Sequence, residues 1–376
     1  DGDDKQEKKR QKQLKEDARP SSQKTSVGRG QGENTQKPSA TQMLRAKGGR
    51  STTISVMLPA SIIDNCQSFE LKAVLVGQIA RALTIYGVNE VVLFEDRFDT
   101  AWSDDADNAS RSMAFFARNL QYLETPQYLR RQLLPVHKDL RHVGLLSPLD
   151  APHHLRKYER LPYRDGAVLG KDKAPAPPED AEGPGVWVNC GLDEPVWVSG
   201  QEIPSDVRVT VRFEEDSTGD SAASSGGGGR GGGKGRGGGS KGGPQPSRGV
   251  AVSPREPTTR MGIYWGFQTR IATTLKAVFE ECPYEGGYDL SIGTSERGES
   301  LGLSGLPRFK HLMIGFGGLG GFEEVIADKL SGYAPGTNAS KLFSRYVNVC
   351  PRQTSRTIRT EEALLITLAA LDPLLP

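Results

Sequence analysis

The sequence predicts an α/β protein, a mostly parallel sheet flanked by helices and interrupted by an inserted small β-barrel of the OB type. Three observations predict it. Strand-like and helix-like runs alternate from residue 52 to about 134 and again from 264 onward, the pattern of β-α-β units. Between these stretches, residues 166–213 carry short alternating runs separated by Gly, Pro and Asp, as small barrels do. Near the end, HLMI (311–314) passes into GFGGLGG (315–321) and FEEVI (322–326), which reads as strand, glycine turn and helix start. The expected organisation is a basic tail over 1–50, a sheet domain formed by 51–160 and 261–376, and an inserted β domain over 161–260.

Taken in order, residues 54–58 predict a short strand. Residues 70–86 predict a helix, with Leu71, Val74, Leu75, Ile79 and Leu83 at helical spacing before Gly87, and 90–95 a buried strand. Met113, Phe116, Leu120 and Leu123 predict a helix over 112–123, and Thr125-Pro126 opens another through 134. The insert shows strands at 185–189, 195–198 and 207–213. The α/β pattern resumes with an expected helix over 270–279, strands at 288–292, 310–314 and 346–349, and a last helix over 361–371. That helix is apolar nearly all round (Ala363, Leu364, Leu365, Ile366, Leu368, Ala369, Leu371), which predicts burial, with a homodimer interface as its expected form. The loops after the last three strands, 293–298, the glycine turn and 350–360, should share the carboxyl edge of the sheet, where open α/β sheets hold ligands.

Charge is unevenly spread. The first 50 residues hold 13 Lys/Arg against 7 Asp/Glu, and residues 226–260 hold 7 against 1, whereas the whole chain of 376 residues is only +2. The remainder is therefore acidic by about ten charges. Residues 1–50 and 216–258 lack the large apolar side chains that offset ordering entropy, so both are expected to be mobile and to supply the attraction to a polyanion. Arg230 and Arg236, flanked by glycines, resemble RGG-like RNA-binding tracts. The four cysteines, Cys66, Cys190, Cys282 and Cys350, never fall in C-x-x-C spacing, so neither a zinc site nor a disulfide framework is expected. No apolar run approaches about 18 residues, so no membrane span is expected. The chain begins with Asp, which leaves a preceding targeting signal open.

Residues 315–320 satisfy G-x-G-x-x-G, yet a dinucleotide site is not the expectation. That fingerprint opens a sheet and needs an acidic residue roughly 20 positions later. Here the turn closes the sheet, and residues 329–360 contain no Asp or Glu.

The motifs YWGFQTR (264–270), GYDLSIGTSERG (287–298), GFGGL (315–319), YVNVCP (346–351) and SRTIRTEEA (355–363) carry a family resemblance. GQIAR (77–81), LQYLE (120–124) and PLDAPHH (148–154) add to it. The chain resembles the SPOUT class of RNA methyltransferases, in the subfamily with an inserted OB-like domain that includes a human centromere- and spindle-associated member. The resemblance covers nearly everything from residue 52 on, apart from the glycine tract. It implies a trefoil knot within 288–376 and S-adenosylmethionine (SAM) as the cofactor. SAM would be held by Gly317, Gly318 and Leu319 on one wall, Thr294, Ser295 and Glu296 on another, and Asn348, Cys350, Ile358 and Thr360 below. The catalytic candidates it implies are Arg270, Glu296 and Arg297, with Arg81 and Arg356 as further arginines suited to orienting a nucleotide. It implies no metal, an RNA partner (ribosomal RNA first, with uridine N3 as the target atom), a homodimer, and a nuclear or nucleolar location with cytoplasmic, spindle or kinetochore association open. The alternative expectation is a non-catalytic RNA-binding or spindle scaffold on the same fold. Thr360 also suits a helix N-cap, Cys350 a packing role, and the pair His153 and His154 a structural or RNA-facing role.

Overall fold

The computed structural model of the chain describes residues 48–96, 110–214, 247–301, 305–318, 320–327, 331–334 and 336–375. The basic tail up to residue 47, the glycine-rich residues 215–246 with Arg230 and Arg236, and Leu319 lie outside the described residues.

The chain begins with β1 (Thr53–Pro59), α1 (Phe69–Ile85), β2 (Glu90–Phe94), α2 (Arg111–Glu124) and α3 (Gln127–Leu133). An inserted run follows: β3 (Tyr163–Val168), β4 (Gly185–Asn189), β5 (Val196–Ser199), β6 (Arg208–Phe213) and β7 (Arg248–Val252). The chain then continues through α4 (Glu256–Met261), β8 (Gln268–Ala272), α5 (Leu275–Glu280), β9 (Leu290–Ser300), β10 (His311–Gly315), α6 (Gly321–Ala327), β11 (Arg345–Asn348) and α7 (Thr360–Leu371). Hydroxyl side chains fix several helix starts. Ser68, Ser110 and Thr274 accept from the backbone N–H groups of Leu71, Met113 and Ala277.

The main sheet is parallel, in the order β11-β9-β10-β1-β2-β8. Strands buried on both faces need apolar residues in both registers, and β1 has them. Ile54, Val56 and Leu58 meet α1, α2 and α7 on one side, while Met57 meets α5 and α6 on the other. The inserted strands close a five-stranded barrel, β3-β4-β5-β7-β6, in which only β5 and β7 run parallel.

Barrel and sheet are joined by buried charges. Arg208 on β6 donates to Glu124 at the end of α2 (2.6 and 3.0 Å) and to Asp165 on β3 (2.6 Å). Asp165 also accepts from Thr210 and from the Trp265 indole. His153 and His154 both bring Nε2 to the Glu124 carbonyl, at 3.0 and 2.7 Å, so their role is structural.

Three expectations are corrected. The helix over 270–279 is instead β8 followed by α5. Thr269 and Ile271 suit an edge strand, and the Arg270 guanidinium compensates the buried Glu90 on the neighbouring strand. On α1, Leu71 and Val74 face outward, while Ala73, Leu75, Val76, Ile79, Ala80 and Leu83 are buried; the small residues let the helix sit close to the sheet. The segment 216–258 is not mobile throughout, because 248–252 forms a barrel strand and 256–261 a helix. Within one copy of the chain, α7 is buried on one face. Leu364, Thr367, Leu368 and Leu371 pack inward, whereas Leu365 is 47% exposed.

Candidate active site

Three adjacent parallel strands, β11, β9 and β10, end at the same edge of the sheet, and the segments that leave them converge. They enclose a cleft of about 340 Å³ floored by α7. Thr294, Ser295, Glu296, Arg297, Gly317, Gly318, Asn348, Cys350, Ile358 and Thr360 all line it, as does Arg356. Arg270 does not. It lies on β8, separated from β9 by three intervening strands, about 19 Å away at ordinary strand spacing. There it bonds Glu90, the Val278 carbonyl and Tyr288. Arg81 is engaged by the Leu149 carbonyl in a separate groove beside α7.

Each wall has a local cause. The expected loop 293–298 is continuous with β9, but its pairing with β11 jumps: Tyr346 stands opposite Gly293 and the next residue, Val347, opposite Glu299. Residues 294–298 therefore bulge out of register toward the cleft. The bulge is held at both ends. The Thr294 hydroxyl donates to the Gly315 carbonyl at 2.9 Å, and the Asn348 amide donates to the Glu296 carbonyl at 2.9 Å. The Asn348 side-chain oxygen, Oδ1, accepts from the Cys350 N–H at 2.9 Å, so this side chain positions two loops at once.

On the glycine turn, Gly321 has φ +72°, a conformation that L side chains rarely adopt, and its N–H donates to the Gly318 carbonyl at 3.1 Å. A Cβ on Gly317 would sit 2.8 Å from the Gly321 backbone, and one on Gly318 3.2 Å from Asp96. Bare main chain is what this wall requires. The Thr360 hydroxyl donates to the Gly317 carbonyl at 3.3 Å, joining turn and floor.

The cleft also holds a polar group that sequence reading missed. Thr367 is fully buried, lines the cleft, and its hydroxyl has no hydrogen-bond partner among the described residues. Such a group costs free energy unless a ligand or water completes it. Nothing in an apolar helix would single it out. Charge in the cleft comes from Glu296, Arg297, Glu323 and Arg356, with Arg297 3.7 Å from Glu323.

A larger cavity of about 690 Å³ lies where barrel and sheet meet. Its buried polar groups, Arg208, Glu124, Asp165 and Trp265, bond one another, as a structural junction does. Among the described residues there is no cluster of three or more His, Cys, Asp or Glu able to hold a metal, and no helix long and apolar enough to cross a membrane. All four cysteines are free thiols.

Fold and cleft together define an α/β protein with a cleft walled by glycine backbone at the carboxyl edge of a parallel sheet, the edge where open α/β sheets hold ligands. Residues 53–371 match the family described as "Putative RNA methyltransferase", and the chain belongs to that family of RNA methyltransferases. It is 42% identical over 331 residues to a protein of Homo sapiens named 28S rRNA (uridine-N(3))-methyltransferase, spanning 86% of this chain and 79% of that protein. A Mus musculus protein of the same name is 41% identical over 335 residues, spanning 88% and 78%. One from Drosophila melanogaster is 42% identical over 339 residues, spanning 85% and 62%.

Proposed function

We propose that this chain is a SAM-dependent methyltransferase of the SPOUT class that methylates uridine N3 in large-subunit ribosomal RNA. One observation carries the reading. Every cofactor-binding residue expected from the resemblance that lies among the described residues lines a single cleft. The named activity of the relatives supplies the substrate.

The cleft suits SAM on two counts: walls of bare glycine main chain, and the unpartnered Thr367 hydroxyl within. When bound, SAM supplies a methyl group already activated on sulfonium. Gly317, Gly318 and the segment 348–350 offer main-chain groups to an adenosine, and Thr360 and Asn348 keep the walls in register. Methylation at N3 forms an N–C bond, breaks a sulfonium S–C bond and releases the N3 proton. On this reading Glu296, which lines the cleft, would accept that proton, and Arg297 would hold a uracil carbonyl or phosphate. We read the C-terminal sheet as the SPOUT knot and the closed barrel as an OB-type module.

The functional unit on this reading is a homodimer. Ile85 (56% exposed), Leu145 (60%) and Leu365 line one apolar groove between α1 and α7, a face suited to a second copy. A nuclear or nucleolar location follows from a ribosomal substrate.

The test is nucleoside mass spectrometry of large-subunit rRNA from cells lacking the protein, with calorimetry of the purified chain and SAM. Loss of 3-methyluridine and micromolar SAM binding are expected. An unchanged rRNA profile, or no SAM binding, would overturn the reading.

A further inference from the structure

Among the described residues acidic and basic side chains nearly balance, yet one groove carries cations alone. Between the end of α2 and residue 143 the surface is lined by Arg130, Arg131, Lys138 and Arg141, with Tyr122 and Val136 among them, and by no Asp or Glu. Of the carboxylates nearest in sequence, Glu124 pairs with Arg208, and Asp139 pairs with Arg118 and lies 3.4 Å from His137 of the groove. Arg131 and Arg141 are exposed, and Val136 is fully open to solvent. The Arg130 guanidinium lies 4.3 Å from the Tyr122 ring centre, fixed there by bonds to the Thr125 and Leu123 carbonyls.

We propose that this groove binds the sugar-phosphate backbone of single-stranded RNA. Arg131, Lys138 and Arg141 would meet phosphates, and the Tyr122–Arg130 pair would serve as a stacking platform for a base. The proposal rests on the RNA methyltransferase reading for its choice of ligand. Several cations in succession beside a fixed aromatic–guanidinium stack and an exposed apolar side chain match a polymer of phosphates and flat bases better than an acidic peptide, which offers charge without stacking surfaces. The groove also lies on the helical side of the sheet to which α7 belongs. The turn at Val143–Leu145 packs on α1, and residues 145–147 border the outer face of α7, whose other face floors the cleft.

The experiment uses the full chain and fluorescence anisotropy with a labelled single-stranded oligouridylate across a salt titration. The double reversal R131E/R141E is expected to weaken binding about 10-fold or more and to flatten the dependence of log K on log salt by about one to two. R131K/R141K should bind nearly as wild type, since phosphates need only the charge. Y122A should lose about fivefold or more at unchanged salt slope. Thermal midpoints and SAM affinity should stay as in wild type for all three. Wild-type affinity and slope in R131E/R141E would overturn the proposal, as would retained RNA binding with lost binding to polyglutamate. An enzyme that shows this charge-dependent binding but leaves rRNA unmethylated would overturn the function proposed above and leave the groove standing.

Discussion

The hydroxyl of Thr360, the first residue of α7, donates to the carbonyl of Gly317 at 3.3 Å across 43 positions of sequence. Through this bond the glycine turn and the helix beneath the cleft keep a common position. Thr360→Val preserves shape and removes the bond. The expected outcome is a stability loss of about 1 kcal/mol or less, read by urea denaturation, because the Gly317 carbonyl can take water instead. SAM affinity by calorimetry should fall several-fold.

Thr367→Val tests the buried hydroxyl from the other direction. If the ligand completes that hydrogen bond, the substitution weakens SAM binding by about 1–2 kcal/mol. The ligand-free protein, freed of an unsatisfied polar group, should become more stable by about 1 kcal/mol. Opposite signs in the two measurements are the signature. A ligand-free variant less stable than wild type would refute the account of this residue.

The junction of barrel and sheet should be acid-sensitive. Burial, with neighbouring His153 second, pushes His154 down to about 3. Its unfolded value is about 6.5. The unfolded chain therefore gains this proton first, so the contribution is complete above about pH 6.5 and is lost as pH falls toward 3. Burial alone would raise the Glu124 carboxyl, but Arg208 and His153 outweigh it and hold it well below the usual range. Its contribution is present above about pH 4.5 and is also lost on acidification. Unfolding free energy should drop by at most about 1.4 kcal/mol per pH unit between pH 6 and 5, where His154 acts alone, and more steeply below about pH 4.5, where Glu124 adds to it; His154→Gln should flatten the upper part of that window.

Arg208→Leu leaves Glu124 and Asp165 buried without their shared cation. A loss of about 3–5 kcal/mol is expected, measured by denaturation at pH 7. Trypsin should then cut between sheet and barrel well before it cuts the wild-type protein.

Leu365→Glu and Ile85→Glu place charge on the apolar groove between α1 and α7. Light scattering after gel filtration should show the monomer mass for either variant and twice that mass for wild type, with little change in the far-UV spectrum.

The cleft was largely legible in the sequence because its parts are local. Glycines 315–321, the bulge 294–298 and residues 348–360 each announce a break in regular structure, and a parallel sheet brings such breaks together. What escaped depends on distant partners. β3 carries Arg164, Asp165 and Gly166 mid-strand, and reads as a strand only once Arg208 and Trp265 are known to meet Asp165. Arg270 looked free to act because its partner Glu90 lies 180 residues earlier. Thr367 is one hydroxyl in an apolar helix, and only the cleft beside it gives it meaning. β7 was absorbed into the glycine tract because RGVAV (248–252) directly follows low-complexity sequence.

β6 and β7 are antiparallel neighbours, with Phe213 opposite Gly249 and the Glu214 N–H donating to the Arg248 carbonyl at 3.2 Å. Residues 214 and 247 are thus held side by side by the barrel itself, whatever lies between them. Strand pairing thus fixes the two ends that a connection must join, and neither end lines the cleft; a reporter domain whose own termini lie close together can be spliced between them without asking the barrel to move.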